Sequence, residues 1–378
     1  VGQGPPLRIL QILRAPVGGL FRHVRDLTAE LAARGHQIGV VADSLTADAL
    51  TAERLAQLAP FATLGIHRLP MPRTLGLGDV TTPLAIRRLG RTLGADVLHG
   101  HGAKGGFGAR LGRRGGQVAL NTPHGGVLNY RPGSVAGRLF RRAERGMGRI
   151  TDAYVFESAH AQRAFHAQIG VPPCREVVIH NGLAPDEFAP LPPDADARDF
   201  IFIGEFRDVK GISYLLEALA GVVRPDGQPA TLAMAGGGRD FEATAAQIAR
   251  DGLSGRIELL GVRPAPEALR RGRCLVVPSL AESLPYVVLE GAAAGRPVIA
   301  TAVGGIAEIF GPTAPSLVPA ADAAALRRAL QAHVDDPDAA AREAAERLAF
   351  IAPRFSIARM TDAIEALYRE VLAARRHG

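Results

Sequence analysis

Short apolar runs of strand length alternate with helical stretches along this chain, and glycine-rich turns separate them. Leu7 to Leu13 (LRILQIL) reads as a strand, Ala15-Pro16-Val17-Gly18-Gly19 as a loop, and Phe21 to Arg34 as a helix that Gly35 can end. A second apolar strand follows from Ile38 to Ala42. Strand, glycine loop, helix and strand make one βαβ unit of a parallel sheet. Further strands are expected at Val97–His99, Val118–Asn121, Ala153–Phe156 and Val177–Ile179, then at Phe200–Ile203, Thr231–Ala235, Ile257–Leu260, Cys274–Val277 and Val298–Thr301. Between the two series lies Ala189-Pro190-Leu191-Pro192-Pro193-Asp194-Ala195-Asp196, which reads as a linker. A chain of 378 residues exceeds what one core normally serves. The expectation is two doubly wound α/β domains, 1–188 and 198–355, facing each other across a hinge near residue 190. Ligands would then bind at the carboxyl ends of the strands, in the cleft. The tail from Ser356 to Arg376 carries Ile357, Met360, Ile364, Leu367 and Val371 on one helical stripe, and packing is its expected role.

Composition removes several classes. Apolar residues at 47% and charged residues at 21% are ordinary for a globular protein. The most apolar region, Cys274 to Ile309, is interrupted by Glu282, Glu290, Arg296 and Glu308, so no membrane span is expected. Val1 to Pro6 lacks the basic flank and apolar core of a signal peptide. Cys174 and Cys274 are too few for a disulfide framework and read as small buried hydrophobes. A cytoplasmic protein is expected. The net charge of +7 suits anionic partners, although an arginine excess also follows from genome composition. Aromatics at 5% and no tryptophan argue against a single-strand nucleic-acid binder. The only lysines, Lys104 and Lys210, both precede glycine, where an ammonium beside exposed amides suits a phosphate.

The most informative stretch is Pro278-Ser279-Leu280-Ala281-Glu282-Ser283-Leu284-Pro285-Tyr286-Val287-Val288-Leu289-Glu290. A strand ends at Pro278, a loop carries Glu282, and Pro285 opens a helix. Glu290 falls inside that helix among Val287, Val288, Leu289, Ala292, Ala293 and Ala294. A helix apolar all round is buried, and a buried carboxylate needs hydrogen-bond partners, such as two ribose hydroxyls. The alternative is a glutamate on a narrow solvent-facing stripe. In the first half, Gly18-Gly19 at a helix start offers backbone amides to a phosphate or sugar. No cysteine or carboxylate stands near the histidines of His99-Gly100-His101-Gly102, which argues against a metal there.

This block, with Gly295-Arg296-Pro297-Val298-Ile299-Ala300-Thr301 and Val303-Gly304-Gly305-Ile306-Ala307-Glu308 after it, resembles glycosyltransferase family 4. The two glutamates, with seven residues between them, are the hallmark of that family's C-terminal domain. The resemblance extends to Gly204-Glu205-Phe206-Arg207-Asp208-Val209-Lys210-Gly211, the strand-loop that grips a pyrophosphate, and to Gly18-Gly19 with His23-Val24. It also takes in His99 to Gly106, Asn121-Thr122-Pro123-His124-Gly125-Gly126, Asp152 to Ser158 and Ile179-His180-Asn181-Gly182. The chain departs from the pattern at Glu205, where the family usually has arginine, and at Leu183-Ala184. Arg207 is positioned to supply the missing cation. Ser158 reads as a helix cap and Asn181-Gly182 as a turn.

The resemblance implies a GT-B fold of two Rossmann-like domains, with the C-terminal helix 356–378 packing back near the first. It implies a retaining transferase that needs no metal or other cofactor and takes a UDP- or GDP-sugar as donor. The acceptor would be a saccharide or lipid-linked molecule in surface polysaccharide or glycolipid synthesis. By the same carry-over Glu290 holds the donor ribose, while Glu282, Ser283 and Leu284 lie by the donor sugar and phosphates. Arg207 and Lys210 grip the diphosphate, Gly18 and Gly19 form the opening loop, and His124 bonds a sugar hydroxyl. Catalytic roles fall to Glu282, His124, Arg207 and Lys210. Arg138-Leu139-Phe140-Arg141-Arg142-Ala143-Glu144-Arg145 is a basic amphipathic stretch that suits the anionic inner face of a membrane or a plain solvated face. Rival readings are a nucleotide-sugar epimerase or hydrolase on the same fold, or a non-catalytic partner subunit, which Glu205 favours.

Overall fold

The computed structural model describes residues 4–46, 48–73, 76–124 and 135–377. They form two compact units, residues 1–182 with 357–378 and residues 183–356. The first unit holds β1 (Arg8–Leu13), β2 (Gln37–Asp43), β3 (Ile66–Leu69), β4 (Val97–His101), β5 (Val118–Thr122), β6 (Ala153–Phe156) and β7 (Arg175–Val178). They make one parallel sheet in the order β3-β2-β1-β4-β5-β6-β7. The second unit holds β8 (Arg198–Ile203), β9 (Leu232–Ala235), β10 (Ile257–Gly261), β11 (Gly272–Val277) and β12 (Val298–Ala300), parallel in the order β10-β9-β8-β11-β12. Both sheets reverse direction of winding once, between β1 and β4 and between β8 and β11. At such a point the loops leaving adjacent strands diverge and a crevice opens at their carboxyl ends.

The strand runs expected from the sequence fall on these strands with end shifts of one or two residues. β3 was not anticipated. As an edge strand reading Ile-His-Arg-Leu, with no residue fully buried, it lacks the apolar run that marks a central parallel strand. The proline-rich stretch 189–196 is not a free linker. Leu191 N–H donates to Ala294 O, Asp194 N–H donates to Arg270 O, and the Arg296 guanidinium donates to Leu191 O, so it is fastened to the second unit. The division instead falls at Gly182–Leu183. The helix Ile357–His377 buries Met360, Ile364, Leu367, Tyr368, Val371 and Leu372 in the core of the first unit with Ile9, Leu27, Val97 and Val118.

Glycine decides how closely the helix Gly102–Gly112 approaches its sheet. A Cβ on Gly105 would stand 2.2 Å from Ile12 O on β1, and one on Gly106 would stand 2.0 Å from Asn121 Oδ1 on β5. Lys104 points elsewhere, its ammonium 2.5 Å from the Asp79 carboxylate. The Lys104-Gly105 pair thus combines close helix packing with an ion pair to Asp79. The same helix carries Arg110, which is buried with Glu144 (Nη1–Oε1 2.5 Å, Nη2–Oε2 3.0 Å) while Tyr154 donates to that carboxylate at 2.8 Å. Removing one member of a buried pair strands the other charge, at about 3–5 kcal/mol. Glu144→Ala should lower the stability of the first unit by about that amount in urea unfolding. The double change Arg110→Met with Glu144→Leu should recover most of it, and equal losses in both variants would contradict this account.

Candidate active site

The second unit's crevice at the β8/β11 reversal is lined by three loops that bond to one another. Leu280 N–H donates to Val209 O at 2.8 Å, Gly305 N–H to Ser283 O at 2.6 Å, and Thr301 Oγ1 to Ser279 O at 2.5 Å. Two glycines permit this. Gly211 has φ +67°, and a Cβ there would lie 2.0 Å from Pro278 O; Gly304 has φ +60°, and a Cβ would lie 2.1 Å from Glu282 O. The result brings together residues 72 positions apart: Lys210 Nζ stands 2.5 Å from Glu282 Oε1, to which Ser279 Oγ also donates at 2.7 Å. Arg207 lies on the same loop, half exposed, with Glu205 Oε2 3.3 Å from its Nη1. The Glu205 that replaces the expected arginine thus offsets part of the charge Arg207 brings. Leu284 is 4% exposed, so its side chain is core and its backbone is what it offers a ligand. Glu290 is half-buried in the helix Tyr286–Ala293, whose other residues from Val288 to Ala293 are buried. It does not lie on an open solvent stripe.

The first unit's crevice at the β1/β4 reversal is polar and crowded. Gly18 (φ +57°) starts the helix Gly18–Ala33, which has no side-chain cap, and a Cβ on Gly18 would have nothing within 4 Å. The amides of Gly18 and Gly19 are therefore at the surface, and unsatisfied donors at a helix start favour anionic or hydroxyl ligands. One turn on, His23 is 1% exposed. His99 and His101 come from β4 and His124 from the end of β5, where its φ of +49° is unusual for a residue with a Cβ. The four rings pack together: His101 Nδ1 is 3.0 Å from His124 Nε2, and His101 Nε2 is 2.7 Å from Gln11 Oε1. His23 Nδ1 is 3.0 Å from Asn181 Oδ1, and His99 bonds Thr122 Oγ1 (2.8 Å) and the Tyr368 hydroxyl (2.6 Å). Burial lowers every one of them: His23 to about 4, aided by His124, and His124 to about 3, with His99 and His101 well below the usual range. All four are neutral at neutral pH, and His99 and His101 have both ring nitrogens engaged by neighbouring side chains.

Two expectations change here. Asn181 is more than a turn residue, since it holds the His23 ring. A carboxylate does stand near the histidines, because Glu157 Oε1 at the end of β6 is 4.0 Å from His124 Nδ1. Neither was legible, because only the sheet order brings β1, β4, β5 and the residues after β6 and β7 to one end. Ser158 caps its helix, accepting from Ala161 N–H at 3.0 Å. Gly125 and Gly126 lie outside the described residues.

A family model described as Glycosyltransferase Family 4 matches residues 17–187, and one described as Glycosyl transferases group 1 matches residues 197–336. The chain belongs to glycosyltransferase family 4. It is a glycosyltransferase of the GT-B type. It is 28% identical over 355 residues to a glycogen synthase of Mycobacterium tuberculosis, covering 87% of this chain and 85% of that one. To a D-inositol 3-phosphate glycosyltransferase of Frankia alni it is 28% identical over 330 residues, covering 76% and 79%. Among solved structures, sucrose-phosphate synthase of Thermosynechococcus elongatus shares the fold with a TM-score of 0.77 at 22% identity, covering 98% and 100%. Anabaena HepE in complex with UDP and glucose does so with 0.75 at 19%, covering 97% and 100%.

Within this family-4 chain the knit of the second unit's loops depends on Gly211. Gly211→Ala combines a left-handed backbone, about 1–2 kcal/mol unfavourable for alanine, with a backbone clash. Thermal unfolding should show the second unit destabilised and the Lys210 loop displaced. An unchanged melting temperature would mean that the loop contact is dispensable.

Proposed function

We propose that this chain is a retaining glycosyltransferase of the hexosyltransferase type. It moves a sugar from a UDP- or GDP-sugar to a saccharide or lipid-linked acceptor during synthesis of surface polysaccharide or glycolipid. The observation that carries the reading is the Lys210–Glu282 pair held at the β8/β11 reversal, since it sets a cation and a carboxylate where a nucleotide sugar's diphosphate and hydroxyls would lie. Lys210 and Arg207 each give the diphosphate charge-assisted hydrogen bonds of about 1.5–3 kcal/mol, which stabilises it as a leaving group without metal. Glu290 takes the ribose hydroxyls, and Glu282 with the Ser283 and Leu284 backbone takes the sugar and phosphates. In the first unit, Gly18 and Gly19 present amides and neutral His124 bonds a sugar hydroxyl. Solved structures of Anabaena HepE hold UDP, UDP with glucose, and UDP-glucose, which supports a uridine donor as the first to try.

Retention by double displacement uses two carboxylates about 5–5.5 Å apart. The second unit offers Glu282 already paired with Lys210, so front-face attack is the better mechanism, with the leaving phosphate accepting the acceptor's proton. The helix Val135–Met147 exposes Arg138, Leu139 and Arg142, a pattern suited to peripheral contact with an anionic inner membrane face and a lipid-linked acceptor. Among the described residues no helix is long and apolar enough to cross a membrane.

Calorimetry of UDP, GDP and ADP with no divalent metal tests the donor site. One nucleotide should bind selectively, with affinity falling at least about tenfold in Glu290→Ala. Binding of none of the three would leave the non-catalytic reading, for which the Glu205–Arg207 pair is the structural argument.

A further inference from the structure

Gln11 stands fully buried in the middle of β1, between Leu10 and Ile12, on a strand that is otherwise apolar from Ile9 to Leu13. A buried amide costs roughly 1–3 kcal/mol wherever it lacks hydrogen bonds, so an apolar residue would suit the strand better. Its Nε2 has no hydrogen-bond partner, and what the amide contributes is its oxygen. That oxygen, Oε1, lies 2.7 Å from His101 Nε2 on β4. A carboxamide oxygen only accepts, so His101 Nε2 carries the ring's proton and Nδ1 its lone pair. The lone pair stands 3.0 Å from His124 Nε2, which therefore carries the proton of the second ring. Burial keeps both rings neutral, one proton each. His124 Nδ1 is left as an acceptor.

That nitrogen meets a second acceptor. Glu157 Oε1, just past β6, is 4.0 Å from His124 Nδ1, and both side chains are buried. Two acceptors facing each other away from water are unfavourable until something donates to both. His124 is held in this position by a backbone at φ +49°, a disfavoured conformation for a residue with a Cβ. Strain of this kind persists where a ligand site needs it. Adjacent hydroxyls of a sugar ring project side by side, and each can give its proton to one acceptor. A nitrogen and an oxygen 4.0 Å apart can receive such a pair at about 2.7–2.8 Å each. His99 takes no part, because Thr122 and Tyr368 engage both its nitrogens.

We propose that Gln11, acting through His101, holds His124 in the tautomer whose Nδ1 accepts, and that Glu157 joins it as a second acceptor. Together they select a sugar by two hydroxyl protons. Gln11 and His101 are positioning residues, and Glu157 touches the sugar. The proposal rests on the reading of His124 as a sugar contact, and adds to it the direction of the hydrogen bond and the partner that shares it. An acyl carbonyl, carboxylate or phosphate oxygen in the same place would face two acceptors and be rejected.

Nitrogen NMR of the chain with isotope-labelled histidine, free of ligand, reads which ring nitrogen of each histidine carries the proton. His101 and His124 should both carry it at Nε2. A proton on His124 Nδ1 in the unaltered chain overturns the proposal. Gln11→Met keeps the volume and removes the acceptor, so His124 should then divide between its two tautomers; an unchanged spectrum would mean that Gln11 only packs. Calorimetry next compares UDP with UDP-glucose. Glu157→Gln places an amide N–H beside His124 Nδ1, where it competes with the sugar's proton. That variant should bind UDP as before and lose about tenfold of the affinity that glucose adds, the worth of one hydrogen bond to a charged group. An undiminished contribution from glucose would overturn the role of Glu157. Circular dichroism checks that each variant folds, and the spectrum of the unaltered chain decides the matter if neither does. Loss of all UDP binding in the unaltered chain is failure of the donor reading, whereas a proton on His124 Nδ1 in a chain that binds UDP is failure of this inference alone.

Discussion

A parallel sheet that reverses its winding must leave a gap where two neighbouring strands send their loops in opposite directions, and both units of this chain concentrate their polar chemistry there. In the second unit the gap lies between β8 and β11 and holds Arg207, Lys210, Ser279 and Glu282; in the first it lies between β1 and β4 and holds Gly18, His23, His99 and His101. The loops can approach closely only because glycine stands at the contacts. Gly211 against Pro278 and Gly304 against Glu282 leave no space for a side chain, and Gly105 against Ile12 sets the first unit's helix on its sheet. Chemistry at these ends follows from backbone packing.

The two ends differ in electrostatic character. The second unit's set is charged: an ammonium, a guanidinium and carboxylates, partly exposed, suited to a diphosphate whose charge grows as the sugar leaves. The first unit's set is neutral, because burial removes the protons from four histidines that surface exposure would leave partly charged. Neutral, rigidly held imidazoles recognise hydroxyls, whereas charged groups recognise phosphates. A sugar nucleotide contains both.

Much of this was legible in the residues. The run from Pro278 to Glu290 announced a strand end, a loop glutamate and an apolar helix with an internal carboxylate, and each is present. The strands were legible because central parallel strands are apolar on both faces; β3 was not, being a half-exposed edge. Proximity across the sheet was what the sequence could not express. Glu157 follows β6 and Asn181 follows β7, far in sequence from His23 and His124, and no local pattern links them. The proline-rich stretch near residue 190 misled because its backbone groups find partners within the second unit.

The proposed function implies a division of labour in which Lys210 serves the diphosphate and His124 serves the sugar. Affinities of a nucleoside diphosphate and of its sugar conjugate, measured side by side in Lys210→Ala and His124→Asn, test it most directly. The account predicts that Lys210→Ala weakens both ligands alike, while His124→Asn leaves the bare diphosphate unchanged and removes the extra affinity that the sugar contributes. Loss of diphosphate binding in His124→Asn, or an unaltered preference for the sugar conjugate, would contradict it.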